Sequence, residues 1–286
     1  MLKKSTIQLL RFPFSIFLMP VFWFALLYVN IIKWDNVLML FFILQGLLYP
    51  ASNAYNSYMD KDTESIGGIA QPLPPTKQLY YMSLAMDVLA IVWAFFIHHT
   101  VGCCVFTYVI FSRLYSYRGI RLKKYPIIGF LTVIVNQGGL IFFTVYKAAQ
   151  QINTAIPYSG IIASILLIGG FYPITQVYQH ASDRVDGVNT LSMQLGIKGT
   201  FLFCIIMYFL AFLTMAYYFI SIDEVRTFII IQLFFLPVLI YFFYWMNLVW
   251  KDIHYANFKQ TMKMNWIAAI FTNMAFIFVL IQQHFG

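Results

Sequence analysis

The chain is written in long apolar runs broken by short polar interruptions. A helix of about 20 consecutive, mostly apolar residues crosses a bilayer. Runs of that kind lie at residues 12–32, 37–58, 78–97, 100–117, 126–146, 158–179, 200–221, 227–249 and 264–283. The pattern predicts an all-α integral membrane protein of about nine transmembrane helices, forming a single transmembrane domain over residues 1–286. The fourth run is short, and the second and sixth carry Pro50 and Pro173. The first run is too long for a cleaved signal core and lacks a small-residue cleavage site after it, so it is expected to be a retained helix.

Composition strengthens this reading. Hydrophobic residues make up 61% of the chain and charged residues 10%, against about 45–50% and about 25% in soluble domains. A water-facing globule cannot hide that much apolar surface. The net charge of +8 raises the question of nucleic acid, but the basic residues flank the apolar runs. With the N-terminus inside, fifteen of the 18 Lys and Arg residues fall in inner segments, and only Lys33, Lys147 and Arg226 fall in outer ones. The positive-inside rule then predicts a multi-pass protein of a cell inner membrane. Its N-terminus is cytoplasmic, Gly286 lies outside, its partner is the lipid bilayer, and no nucleic acid is involved. Cys103, Cys104 and Cys204 sit in apolar runs and read as packing residues.

Two segments repeat at a constant offset of 123 residues: Gly46, Tyr49, Pro50, Asn53, Tyr55, Asn56, Asp60, and Gly169, Tyr172, Pro173, Gln176, Tyr178, Gln179, Asp183. Five pairs are identical and two exchange Asn for Gln. Tyr49, Asn53, Asn56 and Asp60 follow one another at steps of four, three and four, which places them on one face of a helix. Tyr172, Gln176, Gln179 and Asp183 are expected to do the same. Glu64 extends the first stripe if the helix continues. Pro50 and Pro173 are expected to kink both helices. Repeats of this kind carry sites at their interface, so the second and sixth helices should face each other across a central cavity.

The acids are concentrated at the same place. Asp60, Asp62, Glu64, Asp183 and Asp186 are five of the ten acidic residues, in two loops on one face. Solvated helix ends would explain carboxylates alone, but Asn53, Asn56, Gln176 and Gln179 lie within or near apolar helix, where polar groups need partners or a cavity. Crowded carboxylates repel unless a cation joins them. Mg²⁺ is usually held through one or two carboxylates plus substrate phosphates.

These residues resemble the two signature motifs of the UbiA superfamily of intramembrane prenyltransferases. Asn56, Asp60 and Glu64 occupy the family's NxxxDxxxD motif, with Glu for the last Asp. Gln179 and Asp183 occupy its DxxxD motif, with Gln for the first Asp. Gly187, Thr190, Leu191 and the pair Leu195-Gly196 follow at the family's spacing. Tyr115-Ser116 and the run Arg121-Leu122-Lys123-Lys124 resemble the tyrosine and basic loop after its fourth helix. Pro72, Pro74 and Pro75 resemble the segment after its first motif, although Gln71 stands where the family usually carries Arg or Lys. The resemblance implies a UbiA-like bundle and a Mg²⁺-dependent enzyme. Its reaction would be transfer of an isoprenyl group from an isoprenyl diphosphate donor to a lipophilic, often aromatic, acceptor. It also implies roles. Asp60 and Asp183 would be catalytic, and Asn56, Asp60, Glu64, Asp183 and Asp186 would hold the metal. Asn53, Asn56, Gln176, Gln179, Tyr115, Lys123 and Lys124 would contact substrate, and Tyr49 or Tyr172 would face the allylic cation. An apolar tunnel would take the tail. Gln179 removes one anionic ligand from this pattern, so a catalytically altered or inactive relative is an alternative.

Two other readings are weaker. CDP-alcohol phosphatidyltransferases need four aspartates in DxxDGxxAR and GxxxDxxxD, and Asp183-Arg184-Val185-Asp186-Gly187 supplies only a fragment. A membrane transporter would gather polar groups near the midplane. Asn136, Gln137 and Asp87 are the residues that could serve one, with Asp87 expected to pair with a polar group or face a cavity. His180 and His254 read as surface residues.

Overall fold

A computed structural model describes residues 1–61, 63–152 and 154–285. Asp62 and Gly286, both included in the sequence reading, lie outside the described residues. Nine long helical segments run through the described chain. They are α1 Lys4–Leu26, α2 Trp34–Asp60, α3 Lys77–Ile97, α4 His99–Ser116, α5 Pro126–Ala149, α6 Tyr158–Gln176, α7 Leu191–Ser221, α8 Val225–Lys251 and α9 Phe258–His284. Eight of them are long and apolar enough to cross a membrane by length and composition. The remaining one, α4, is the short fourth run of 18 residues. All nine predicted runs fall on these segments, with ends shifted by up to nine residues. The described residues form no strand beyond two isolated bridge pairs, Ile32 with Gln150 and Ile66 with Ile69.

The outside of the bundle is apolar. Phe42, Phe96, Tyr217, Leu233 and Ile240 are all more than half exposed. Such surface is uncompensated in water and matched by lipid, where every backbone group is satisfied inside its own helix. The interior holds two large apolar clusters. One joins Phe22 and Phe24 of α1, Leu44 of α2, Phe142 of α5 and Phe276 of α9. The other joins Phe201 of α7, Phe242 and Trp245 of α8 and Met264 of α9.

Several segments are irregular for local reasons. In α1, Arg11 sits at φ 49°, followed by a 3₁₀ stretch Phe12–Phe17 with Pro13 in its first turn. In α2 a wide π-helical stretch, Ile43–Leu48, precedes Pro50, so the proline's missing N–H falls where the helix has already loosened. A second π stretch, Ile134–Leu140, interrupts α5. Gly138 within it lets α5 approach α6 closely, since a Cβ there would stand 2.7 Å from the Ser164 carbonyl oxygen. In α7 the helix breaks at Gly196, whose φ of 68° suits glycine. The first turn of α7 is capped by Thr190, whose Oγ1 accepts from the Met193 N–H at 3.2 Å.

The two stripes of the repeat differ in build. The first is continuous helix over Tyr49–Asp60 and stops at Lys61, which takes a left-handed conformation at φ 55°. The second is not one helix face. Regular helix ends at Phe171, Pro173 opens a 3₁₀ turn to Gln176, and a short helix His180–Val185 follows. Pro173 cannot donate to the preceding turn, and Thr175 instead donates its hydroxyl to the Tyr172 carbonyl at 2.7 Å. The polar residues of the second stripe therefore reach the site through a folded-back turn.

Candidate functional site

The segments that follow α2, α4 and α6 meet at one end of the bundle. Their junction caps a cavity of about 200 Å³. Asn53, Asn56 and Asp60 line it from α2, and Tyr172, Gln176, Gln179 and Asp183 from α6 and the turn after it. Tyr115 and Ser116 of α4, and Lys123 beyond it, supply a third wall. Helices α2 and α6 thus face one cavity, as the repeat predicts.

Asp60 is the most enclosed charge at this mouth, with its side chain 3% exposed. Lys123 Nζ lies 2.6 Å from one carboxylate oxygen and the Arg121 guanidinium 3.3 Å from the other. Asn56 donates its amide to Ser116 Oγ at 3.0 Å, leaving its carbonyl oxygen for the cavity. Gln176 donates to the Tyr172 hydroxyl at 2.9 Å, and the Tyr172 and Tyr115 hydroxyls share a short hydrogen bond. Gln176 Oε1, Asn53 Nδ2 and Asn265 Oδ1 are buried with no hydrogen-bond partner. Buried amides of this kind in a cavity wall call for a polar partner, water or ligand.

Eight of the predicted site residues line the cavity: Asn53, Asn56, Asp60, Tyr115, Lys123, Gln176, Gln179 and Asp183. Three do not. Glu64 falls after the helix has ended at Asp60 and is exposed, so the expected extension of the stripe does not occur. Lys124 lies with its ammonium 4.9 Å from the Tyr125 ring centroid and does not line the cavity. Asp186 is engaged by two arginines. Arg121 bonds both its carboxylate and its backbone carbonyl, and Arg118 lies 3.3 Å from the other carboxylate oxygen. Burial alone would raise the Asp186 pKa. The hydrogen bond and charge of Arg121, with Arg118 and Lys123 beyond, outweigh it and hold the carboxyl below its usual range. Arg118 also donates to the backbone carbonyls of Met59 and Asp60. These arginines therefore tie the loop after α4 to the end of α2 and to the loop before α7.

Tyr49 is fully buried beneath the cavity against Tyr108 and does not line it, whereas Tyr172 does. His180, expected at the surface, is half-buried and bonds Ser192 Oγ at 2.8 Å, while His254 is exposed. The sequence reading did not assign Arg11, Tyr108 or Asn265 to the cavity, yet all three line it. An arginine opening the first apolar run was the one signal available for Arg11. Asn265 is a single amide in α9 with no motif around it.

Asp87, the mid-helix acid that a transporter could use, is paired. Arg113 donates to it through Nε at 2.7 Å and also through Nη2, and Nη1 and Nη2 donate to the Ser83 hydroxyl and carbonyl at 3.2 and 3.1 Å. The same guanidinium lies 3.9 Å from the Tyr55 ring centroid. Asp87 is thus paired with a polar group inside the bundle, as expected.

The donor set at the mouth suits a hard cation. Its carboxylates are Asp60 and Asp183, its amides Asn56 and Gln179, and no thiol or imidazole lines the cavity among the described residues. Oxygen donors favour Mg²⁺ over the softer metals. The described residues hold no cluster of three or more acidic, His or Cys side chains, so this is not a closed protein cage. It fits a cation that shares its coordination with a ligand's phosphate oxygens.

Solved structures share this architecture. A UbiA homolog from Archaeoglobus fulgidus bound to GPP and Mg²⁺ is 16% identical, with a TM-score of 0.71 over 98% of this chain and 100% of that one. The apo structure of a UbiA homolog from Aeropyrum pernix K1 is 16% identical, with a TM-score of 0.70 over 94% and 98%. A digeranylgeranylglyceryl phosphate synthase structure is 20% identical, with a TM-score of 0.62 over 98% of each chain. No curated protein sequence is similar enough to count as a relative. At these identities the likeness is one of fold, but the family's sequence profile matches residues 17–278. Motifs, bundle and profile agree, and the chain belongs to the UbiA prenyltransferase family.

Proposed function

We propose that this protein transfers an isoprenyl group from an isoprenyl diphosphate to a lipophilic acceptor within the membrane, with Mg²⁺ as cofactor. One observation carries the reading: Asp60 and Asp183, from the two halves of the repeat, line a single cavity together with amide oxygens and Lys123. In the reaction the donor's C1–O bond breaks and its electron pair leaves with diphosphate. The acceptor forms a bond to C1 and releases a proton. Asp60 and Asp183, with the amide oxygens of Asn56 and Gln179, would hold Mg²⁺, which when bound offsets the charge of the leaving diphosphate. Lys123 is positioned to exchange Asp60 for a phosphate oxygen, and Arg121 orients Asp60. The Tyr172 and Tyr115 rings offer π faces to an allylic cation. A second cavity of about 80 Å³, lined almost wholly by apolar side chains such as Phe24, Leu167, Phe242 and Phe276, offers volume for a prenyl tail. Asp186, held by Arg118 and Arg121, supports the loops around this site. The charge bias supports cytoplasmic placement of the mouth and of the N-terminus, with the C-terminus outside an inner membrane.

Gln179 in place of an acid favours one further reading, a relative whose transfer activity is altered or lost. The deciding experiment uses purified protein, a panel of isoprenyl diphosphates and host lipid extract, with products read by mass spectrometry. Mg²⁺-dependent diphosphate release with a prenylated product is expected. No release with any donor, together with release on Gln179→Asp, supports the degenerate relative instead. Full turnover without Mg²⁺ overturns the metal site.

A further inference from the structure

The reading above uses the mouth of the central cavity and leaves its deep wall unassigned. That wall is polar. Ser52 of α2, Tyr108 and Ser112 of α4, and Asn136 and Gln137 of α5 form it. The Ser52 and Ser112 hydroxyls are hydrogen-bonded at 2.6 Å. The Tyr108 and Gln137 side chains line this wall together with Ser52, and Asn136 donates to the Tyr108 carbonyl at 3.2 Å. Ser52 precedes Asp60 by eight residues, about 12 Å of helix rise, so this polarity lies well inside the membrane-spanning part of the bundle. Polar groups at such depth face protein or a cavity and mark function more often than packing. The π-helical stretch of α5 carries both Asn136 and Gln137, and stretches of this kind recur at functional sites because the extra residue re-aims side chains.

The chemistry of this wall excludes two occupants. An isoprenyl tail would leave without partners those donors and acceptors of the wall that are not already paired with one another, as Ser52 and Ser112 are. An anion would find no counter-charge. Among the described residues the cations lining the cavity are Lys123 and Arg11. Lys123 is paired with Asp60 at the mouth. Arg11 stands on the α1 side, where it donates to the carbonyl oxygens of Asn53 and Gly67. A carboxylate at the deep wall would be desolvated against neutral partners only.

We infer that the deep wall formed by Ser52, Tyr108 and Gln137 is an acceptor subsite that selects a neutral, hydrogen-bonding head group and rejects its carboxylated analogue. The inference rests on the transferase reading and adds the acceptor's chemical class to it. Gln137 and Tyr108 are the specificity-determining residues. Both combine a wall position with hydrogen-bonding groups whose roles can reverse: the tyrosine hydroxyl and the carboxamide each donate and accept.

The test uses the full chain with Mg²⁺ and geranyl diphosphate as donor probe. Prenylation of resorcinol is compared with prenylation of 2,4-dihydroxybenzoate, the same ring carrying a carboxylate. Mg²⁺-dependent binding of geranyl diphosphate is measured separately. Wild type is expected to use resorcinol at least about tenfold more efficiently, and Gln137→Leu and Tyr108→Phe are each expected to lower that efficiency by about tenfold, the size of one net hydrogen bond. Donor binding should be unchanged in both variants. Equal or better use of the carboxylate, prenylation of neither ring with donor bound, or variants within twofold of wild type overturns the inference. The wild-type comparison stands even if a variant fails to fold. Absence of donor binding in wild type overturns the transferase reading, and the inference with it. Intact donor binding without acceptor preference overturns the inference alone.

Discussion

Replacing Asp60 by Asn separates the structural and catalytic uses of one carboxylate. The change is nearly isosteric, so packing is kept and charge is removed. In the wild-type protein the Asp60 carboxylate meets Lys123 at 2.6 Å and Arg121 at 3.3 Å, with the three side chains 3%, 10% and 9% exposed. Arg121 retains Asp186 after the substitution. Lys123 loses the carboxylate that it meets at 2.6 Å, and removing one partner of a buried pair costs about 3–5 kcal/mol because the other charge stays desolvated. We therefore expect Asp60→Asn to lose about 3 kcal/mol of stability, the lower end, since the lysine stem can swing toward the cavity. Lys123→Met with Asp60→Asn removes both charges and should recover most of that loss. Donor binding should behave differently. The double variant still lacks the carboxylate, so Mg²⁺-dependent binding of an isoprenyl diphosphate should be absent from both. The assay is a double-mutant cycle on unfolding in mixed micelles, run beside isothermal titration with geranyl diphosphate. Coupling below about 0.5 kcal/mol, the scatter of independent sites, refutes the buried pair. Wild-type donor affinity in the double variant refutes Asp60 as a metal ligand.

Other expectations follow from the same geometry. Asp183→Asn should abolish Mg²⁺-dependent donor binding, and Gln179→Ala should weaken it by less, because an amide oxygen neutralises no charge; equal losses in titration would contradict this ranking. Asp87→Asn should cost stability by stranding Arg113, with donor binding retained, and loss of donor binding would show that the pair belongs to the site. The Asp186 carboxyl is held below its ordinary value of about 3.9 in the folded protein. Its contribution is thus complete above that value and is lost as pH falls through the lower folded one. Asp186→Asn should therefore flatten the acid limb of a stability–pH profile, and an unchanged limb would refute the Arg118–Arg121 clamp. Reporter fusions should put the N-terminus and the loop holding Lys123 on the cytoplasmic side and the C-terminus opposite, whereas ends on one side would contradict an odd number of crossings.

Read alone, the residue pattern determined the bundle and the location of its chemistry. Apolar runs of bilayer length have one low-energy outcome, helix, because a lipid environment leaves no other way to satisfy the backbone. The 123-residue repeat likewise placed Asn53, Asn56, Asp60, Gln176, Gln179 and Asp183 at one site, since helix periodicity is a local property. Spacing could not show where that periodicity stops. Lys61 enters a left-handed conformation and drops Glu64 from the first stripe, and Pro173 replaces the second stripe with a turn. Nor could it choose partners among crowded charges: Asp60 went to Lys123 and Arg121, Asp186 to Arg118 and Arg121, and Asp87 to Arg113. The membership of Tyr108 and Asn265 in the cavity was equally invisible. These outcomes depend on which helix stands beside which. Coulomb attraction and hydrogen bonding act over a few ångströms, and only the packed bundle brings residues from distant parts of the chain within that range.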